Sequence, residues 1–251
     1  MSAVATFRRT RLGPLDALVL LPEDGARPEL GVALCHGFGA PGEDLAGLGA
    51  ELLERFPSLR GRVAFAFPSA PLDLGALGMP GGRAWWMLDM ERLLALQRGD
   101  VTLRERMRDE VPEGLAPARR ALLSALEAFE QATGLQRSRL VVGGFSQGAM
   151  LGCDTALRME EPPAGLALLS GTLISESQWR ARAGARAGLR VVQSHGRQDP
   201  ILPFSLAESL RELLTGAGLQ VEFVPFEGGH AIPGPALDAL GRLLVEALPP
   251  R

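Results

Sequence analysis

Few side chains in this 251-residue chain can move a proton near neutral pH: three histidines, His36, His195 and His230, and two cysteines, Cys35 and Cys153. Lysine, tyrosine and asparagine are absent, which excludes Schiff-base and P-loop lysines, a Ser-x-x-Lys nucleophile, tyrosine acids and N-glycosylation. Against that spare background one stretch stands out, Leu140 to Leu151, LVVGGFSQGAML. An apolar run stops at Gly143-Gly144, presents Phe145-Ser146-Gln147, then passes Gly148 into the helix-forming Ala149, Met150 and Leu151. A strand, a sharp turn and a helix in that order project Ser146 from the end of a sheet above a helix N-terminus. The turn is too tight for side chains at Gly144 and Gly148. A hydroxyl so placed can attack a carbonyl carbon if a base is near and donors await the oxyanion. With 31 glycines in the chain the five-residue pattern alone could arise by chance, and the flanking strand and helix raise it above that.

Each histidine follows or neighbours the end of an apolar run and stands beside glycine: His36 after GVALC, His195 after LRVVQS, His230 after VEFVPF. A general base needs a loop-borne imidazole, which Glu227 to Pro233 supplies, and an orienting carboxylate from the preceding strand end, where Asp199 stands in RQDPILP. The resulting chain order, Ser146, Asp199, His230, is that of an α/β-hydrolase triad. The carboxylate Glu227 is an alternative to Asp199. Oxyanion donors are expected from the backbone N–H groups of Gln147 and Phe38, with Gly37 and Gly39 letting the backbone approach the substrate. His36 and His195 are read as braces of the oxyanion and acid loops. Neither has a partner at HxH or HExxH spacing, so no metal is expected.

Composition bounds the rest. A hydrophobic content of 46% with 22% charged residues describes a globule with a sizeable core, long enough for one α/β domain. A net charge of −3 offers no long-range attraction for nucleic acid or an anionic membrane, so a small substrate is expected. Arg8, Arg9, Arg11, Pro14 and Asp16 break any signal-peptide pattern in the first 21 residues, and no run of about 18 apolar residues suggests stable membrane insertion. Two cysteines without CxxC spacing fit a reduced, cytoplasmic chain, each thiol a small core residue.

Periodicity places strands at Thr6 to Leu12, Asp16 to Leu21, Gly31 to Cys35, Arg62 to Phe67, from Leu140, and at Gly165 to Ser170, Leu189 to Ser194 and Val221 to Phe226. Helices are expected over Asp44 to Phe56, Trp85 to Gln97, Leu115 to Ala132, Gln147 to Arg158, Phe204 to Leu214 and Pro235 to Leu248. The alternation implies a mainly parallel sheet of about seven to eight strands flanked by helices, in a single domain spanning 1–251 with a lid-like insertion at about 68–111. Within that insertion 68 to 84 reads as a long loop. The arginines of Trp179 to Arg190 read as a solvated helix face. Trp85, Trp86, Met79 and Met87 either line an acyl tunnel or anchor the insertion, while Phe38 and Ile201 adjoin the catalytic loops as pocket candidates.

Taken together, GGFSQGAM, CHGFGAPGEDL, FAFPSAPLDL, the tryptophan at Trp85, SHGRQDPILP and GGH resemble the carboxylesterase, phospholipase and acyl-protein thioesterase family of α/β-hydrolases. The motifs fall in family order over roughly residues 30 to 240. The resemblance implies Ser146, Asp199 and His230 as triad, Phe38 and Gln147 as oxyanion donors, and no cofactor; from the residues themselves, Phe38, Trp85 and Ile201 are the expected substrate contacts. The resemblance also implies hydrolysis of short- to medium-chain esters or thioesters, with an acyl-protein thioesterase or lysophospholipase as the alternative; a non-catalytic binding module on the same fold is the contrasting class. A homodimer is compatible with it. Two stretches depart from the pattern: the opening 25 residues, and an insertion between Trp85 and Leu115 that bears on substrate choice.

Overall fold

A computed structural model describes residues 6–22, 26–89 and 108–250. Its centre is an eight-stranded sheet. In chain order the strands are β1 (Phe7–Leu12), β2 (Leu15–Leu20), β3 (Leu30–Cys35), β4 (Val63–Pro68), β7 (Leu140–Phe145), β8 (Gly165–Leu169), β9 (Arg190–Gly196) and β10 (Gln220–Phe226). They lie side by side as β1-β2-β4-β3-β7-β8-β9-β10. The β1–β2 hairpin joins antiparallel to β4, and every pairing from β4 to β10 is parallel.

The central strands are apolar on both faces because both are covered. Alternate residues point to opposite sides of a strand. Leu30, Val32 and Leu34 of β3 therefore join a core with α1 (Ala46–Arg55) and α6 (Gly234–Ala247). Ala33 and Cys35 join another with α2 (Leu115–Thr133), α3 (Gln147–Ala156), α4 (Glu176–Ala183) and α5 (Phe204–Gly216). The sheet with helices on both sides is the α/β-hydrolase architecture, and parallel order brings the carboxyl ends of β3, β7, β8, β9 and β10 to one rim.

Three expectations need correction. Residues 68 to 84 contain a short antiparallel ribbon, β5 (Leu72–Asp73) with β6 (Arg83–Ala84). The helix expected from Trp85 is absent over Trp85 to Asp89, which run without helical structure because Trp85 and Trp86 are drawn into the core; the rest of that call lies outside the described residues. The Trp179 to Arg190 segment is not a solvated face throughout. Trp179 is fully buried and donates Nε1–H to Asp154 at 2.9 Å, and the buried Arg186 donates to the carbonyl oxygens of Ala156 (2.8 Å) and Met159.

Candidate active site

Ser146 sits between β7 and α3 with φ 54° and ψ −118°, a conformation that side-chain-bearing residues rarely adopt. Its N–H donates to the Leu169 carbonyl at 2.8 Å, while its own carbonyl accepts from Ala149 (3.0 Å) and Met150 (3.1 Å) at the start of α3. A Cβ at Gly144 or at Gly148 would overlap the Cys35 carbonyl oxygen, so the elbow can close only with glycine at both places. The β3 loop abuts this turn: a Cβ on Gly37 would stand 3.4 Å from the Ser146 Cβ.

Asp199 and His230 meet across the ends of β9 and β10. His230 Nδ1–H donates to Asp199 Oδ2 at 2.6 Å, and Asp199 Oδ1 accepts from the amides of Ile201 (2.8 Å) and Leu202 (2.9 Å). Burial is the largest influence on the Asp199 carboxyl and opposes ionisation. The hydrogen bond from His230 and the Leu202 and Ile201 amides together outweigh it, leaving Asp199 below the usual carboxylate range. The two loops are also clipped to each other. Gln198 donates its backbone N–H to the Gly228 carbonyl at 3.0 Å and accepts from the Gly228 amide through Oε1 at 2.6 Å. Glu227, the alternative acid, is instead bound by Gln198 Nε2 at 2.5 Å and stays exposed.

The other histidines are buried and stand behind this front. His195 Nε2 lies 2.9 Å from the Leu202 carbonyl and 3.3 Å from Asp199 Oδ2. His36 Nδ1–H donates to the Gly37 carbonyl at 2.8 Å and Nε2 accepts the Ala70 N–H at 3.0 Å. Burial depresses the pKa of both, which keeps them neutral. Cys35 and Cys153 are free thiols whose pKa burial raises, leaving them as core residues without thiolate character. Among the described residues no group of three or more His, Cys, Asp or Glu side chains could hold a metal ion.

Ser146 and His230 open on a cavity of about 290 Å³ that Phe38, Gln147 and Ile201 also line. Met150, Thr172, Leu173, Ile174 and Leu206 complete an apolar wall. Trp86 lines the cavity, whereas Trp85, expected as a substrate contact, is not among its lining residues. Trp85 has a different place. Its Nε1–H donates to the His36 carbonyl at 2.9 Å and its N–H to Gln147 Oε1 at 2.9 Å, and Gln147 Nε2 donates to the Trp86 carbonyl at 2.8 Å. The loops after β3 and β7 are thus cross-linked through the tryptophan pair. The Gln147 side chain was not singled out in the sequence; the glutamine beside the serine, followed by an apolar helix that buries its flank, is the signal that could have found it. The far wall is tethered too. Arg108 makes a two-pronged ion pair with Glu176 (2.9 and 3.1 Å), and Asp109 accepts from the N–H (2.7 Å) and Oγ–H (2.8 Å) of Ser177, holding Pro112 at the cavity edge.

Residues 23–245 match the phospholipase/carboxylesterase family. An acyl-protein thioesterase 1 of Neurospora crassa is 29% identical over 232 residues, 89% of each chain, and one of Mycosarcoma maydis is 28% identical over 203 residues, 80% of this chain and 81% of that one. The crystal structure of esterase PE8 superposes with a TM-score of 0.76 at 30% identity, covering 93% of this chain and 99% of the other. The chain therefore belongs to the phospholipase/carboxylesterase family of α/β-hydrolases, enzymes that hydrolyse esters and thioesters.

Proposed function

We propose that this enzyme cleaves short- to medium-chain carboxylic esters through an acyl-enzyme formed on Ser146, with His230 as general base and acid and Asp199 as its orienting partner. Ser146 Oγ attacks the carbonyl carbon while His230 Nε2 takes its proton. The oxyanion is received by the N–H groups of Phe38 and Gln147. Gln147 is the first residue of α3, where an N–H has no intrahelical acceptor, and the neighbouring amides of Gly39 and Ala40 are engaged with the carbonyl oxygens of Arg83 and Gly37. The carbon–oxygen bond to the leaving group then breaks and His230 returns the proton to it. Water, deprotonated by the same imidazole, attacks the acyl-enzyme and frees the acid and Ser146. The single observation that carries this reading is the 2.6 Å Asp199–His230 hydrogen bond with His230 facing the same cavity as Ser146.

The bounded, largely apolar cavity beside Ser146 supports an acyl substrate of limited length. Thioesters fit the same chemistry, with sulfur as the leaving atom. The apolar lining, and the likeness to proteins named acyl-protein thioesterase 1, support that second reading, with fatty acyl groups on protein cysteines as substrate. The buried free thiols suit a reducing cytoplasm as the place of action.

A fluorophosphonate probe is expected to label Ser146, and Ser146→Ala to abolish both labelling and turnover of p-nitrophenyl esters. Unchanged turnover in that variant would remove Ser146 from the mechanism. His230→Ala is likewise expected to abolish turnover, and retained turnover in that variant would remove His230 from its role. Parallel ester and thioester series over acyl length separate the two substrate readings.

A further inference from the structure

The end of β8 reaches both sides of the reacting pair. The Leu169 carbonyl accepts the Ser146 N–H at 2.8 Å. The next residue, Ser170, donates Oγ–H to the carbonyl of Ala231 at 2.9 Å, immediately after His230, and its own N–H is fixed to the Ser194 carbonyl of β9 at 2.9 Å. One dipeptide therefore registers the nucleophile's turn against the base's loop.

Ser170 is fully buried and does not line the cavity. Its φ is 51°, a positive value shared among the described non-glycine residues only by Ser146 and Ser175. Glycine would adopt that backbone without strain. What serine adds there is a hydroxyl, and the hydroxyl is spent on the base's loop. On the N-terminal side of His230 the loop is already pinned at Gly228 by Gln198, and the ring is held at Nδ1 by Asp199. The Ala231 carbonyl is held on the far side of the histidine from Gln198, which pins Gly228.

We infer that Ser170 is a positioning residue for the base: its hydroxyl, acting through the Ala231 carbonyl, sets where the His230 imidazole stands over Ser146. The inference rests on the proposed triad. It predicts a loss of rate, not of substrate binding, because a displacement of about 1 Å in a reacting group costs on the order of 10²-fold.

The test uses the full chain with p-nitrophenyl butyrate as substrate. Ser170→Ala and Ser170→Gly should each lower kcat by roughly ten- to a hundredfold with KM within about twofold, and the phosphonylation rate of Ser146 should fall by the same factor. Glycine suits the positive φ, so Ser170→Gly carries the comparison if the alanine variant fails to fold. In a His230→Ala background Ser170→Gly should change the residual rate by less than about twofold, since a residue acting through His230 has nothing left to position. Wild-type kcat in the folded variants, a loss confined to KM, or an equal loss in the His230→Ala background would each overturn the inference. Ser146→Ala and His230→Ala in the same assay keep the two readings apart. If they retain activity the triad has failed; if they are inactive while the Ser170 variants turn over normally, only this inference has.

Discussion

The ties that hold the two sides of the cavity differ in what they join. At the sheet rim each runs to a strand end or to the turn after it: the Ser146 N–H to the Leu169 carbonyl, the Asp199 carboxylate to the Ile201 and Leu202 amides, and the Ala231 carbonyl beside His230 to the Ser170 hydroxyl. Across the cavity the wall depends on side chains, with Gln147 bridging Trp85 and Trp86, Arg108 paired with Glu176, and Asp109 with Ser177. Proton transfer tolerates errors well below an ångström, and parallel strands in register supply that accuracy. A wall that only has to exclude water and measure an acyl chain can be built from tethers, and tethers can be altered without dismantling the sheet.

The largest contrast expected is between His230→Ala and any wall substitution. His230→Ala should lower kcat/KM by about 10⁴-fold or more. If a wall variant with an intact melting curve matched that loss, the division between the two sides would fail. Next come the adjacent tryptophans. Trp85→Ala removes a buried ring and its Nε1–H bond to the His36 carbonyl, and should cost about 3 to 5 kcal/mol in chemical denaturation along with kcat on every ester. Trp86→Ala should instead move the optimum of an acyl-length series upward, because that residue lines the cavity. Equal behaviour of the two variants would show that the pair acts as one unit.

A smaller effect concerns acid. His36 and His195 have lowered native pKa values, so below the ordinary imidazole value of about 6.5 the unfolded chain binds protons that the native state refuses, and stability should fall as pH falls. Asp199 adds a later loss, since its depressed pKa gives stability that is complete above the ordinary carboxylate value of about 3.9 and disappears as pH drops through the native value. Thermal melts from pH 7.5 to 3 should therefore decline in two stages, and a level melting temperature down to pH 4 would contradict the assignment of neutral buried imidazoles. Smallest is Arg108→Ala. This partly exposed ion pair should contribute under about 1 kcal/mol to stability, yet its loss should broaden acyl-length preference while leaving kcat for the shortest esters near wild type. An unchanged length profile would mean that Asp109 and Ser177 alone hold that wall.

Much of the fold was legible because the local signals agreed with the global ones. The runs at Gly31 to Cys35, Arg62 to Phe67 and Gly165 to Ser170 begin and end within a residue or so of β3, β4 and β8, since strands buried on both faces are written as unbroken apolar segments. The amphipathic stretch from Leu115 is α2 almost to the residue. Reading failed where tertiary contacts overruled local preference. Trp85 to Asp89 looks like the start of a helix, but bonds to His36 and Gln147 hold its first residues in a non-helical turn. Arg186 looks solvated, but backbone carbonyl oxygens take its charge inside the protein.

By itself the sequence determined what depends on neighbours along the chain: a strand, an elbow and a helix around Ser146, with glycines where a Cβ would strike the backbone of β3. It also supplied the polar residues that end each apolar run. Only the tertiary structure decided which of these meet. The order β3-β7-β8-β9-β10 sets Ser146, Ser170, Asp199 and His230 along one rim, and the choice between Asp199 and Glu227, or between Trp85 and Trp86, turns on side-chain direction at strand ends. The physical reason is that backbone conformation is mostly a local quantity, whereas a hydrogen bond between distant loops exists only once the parallel strands have fixed their register.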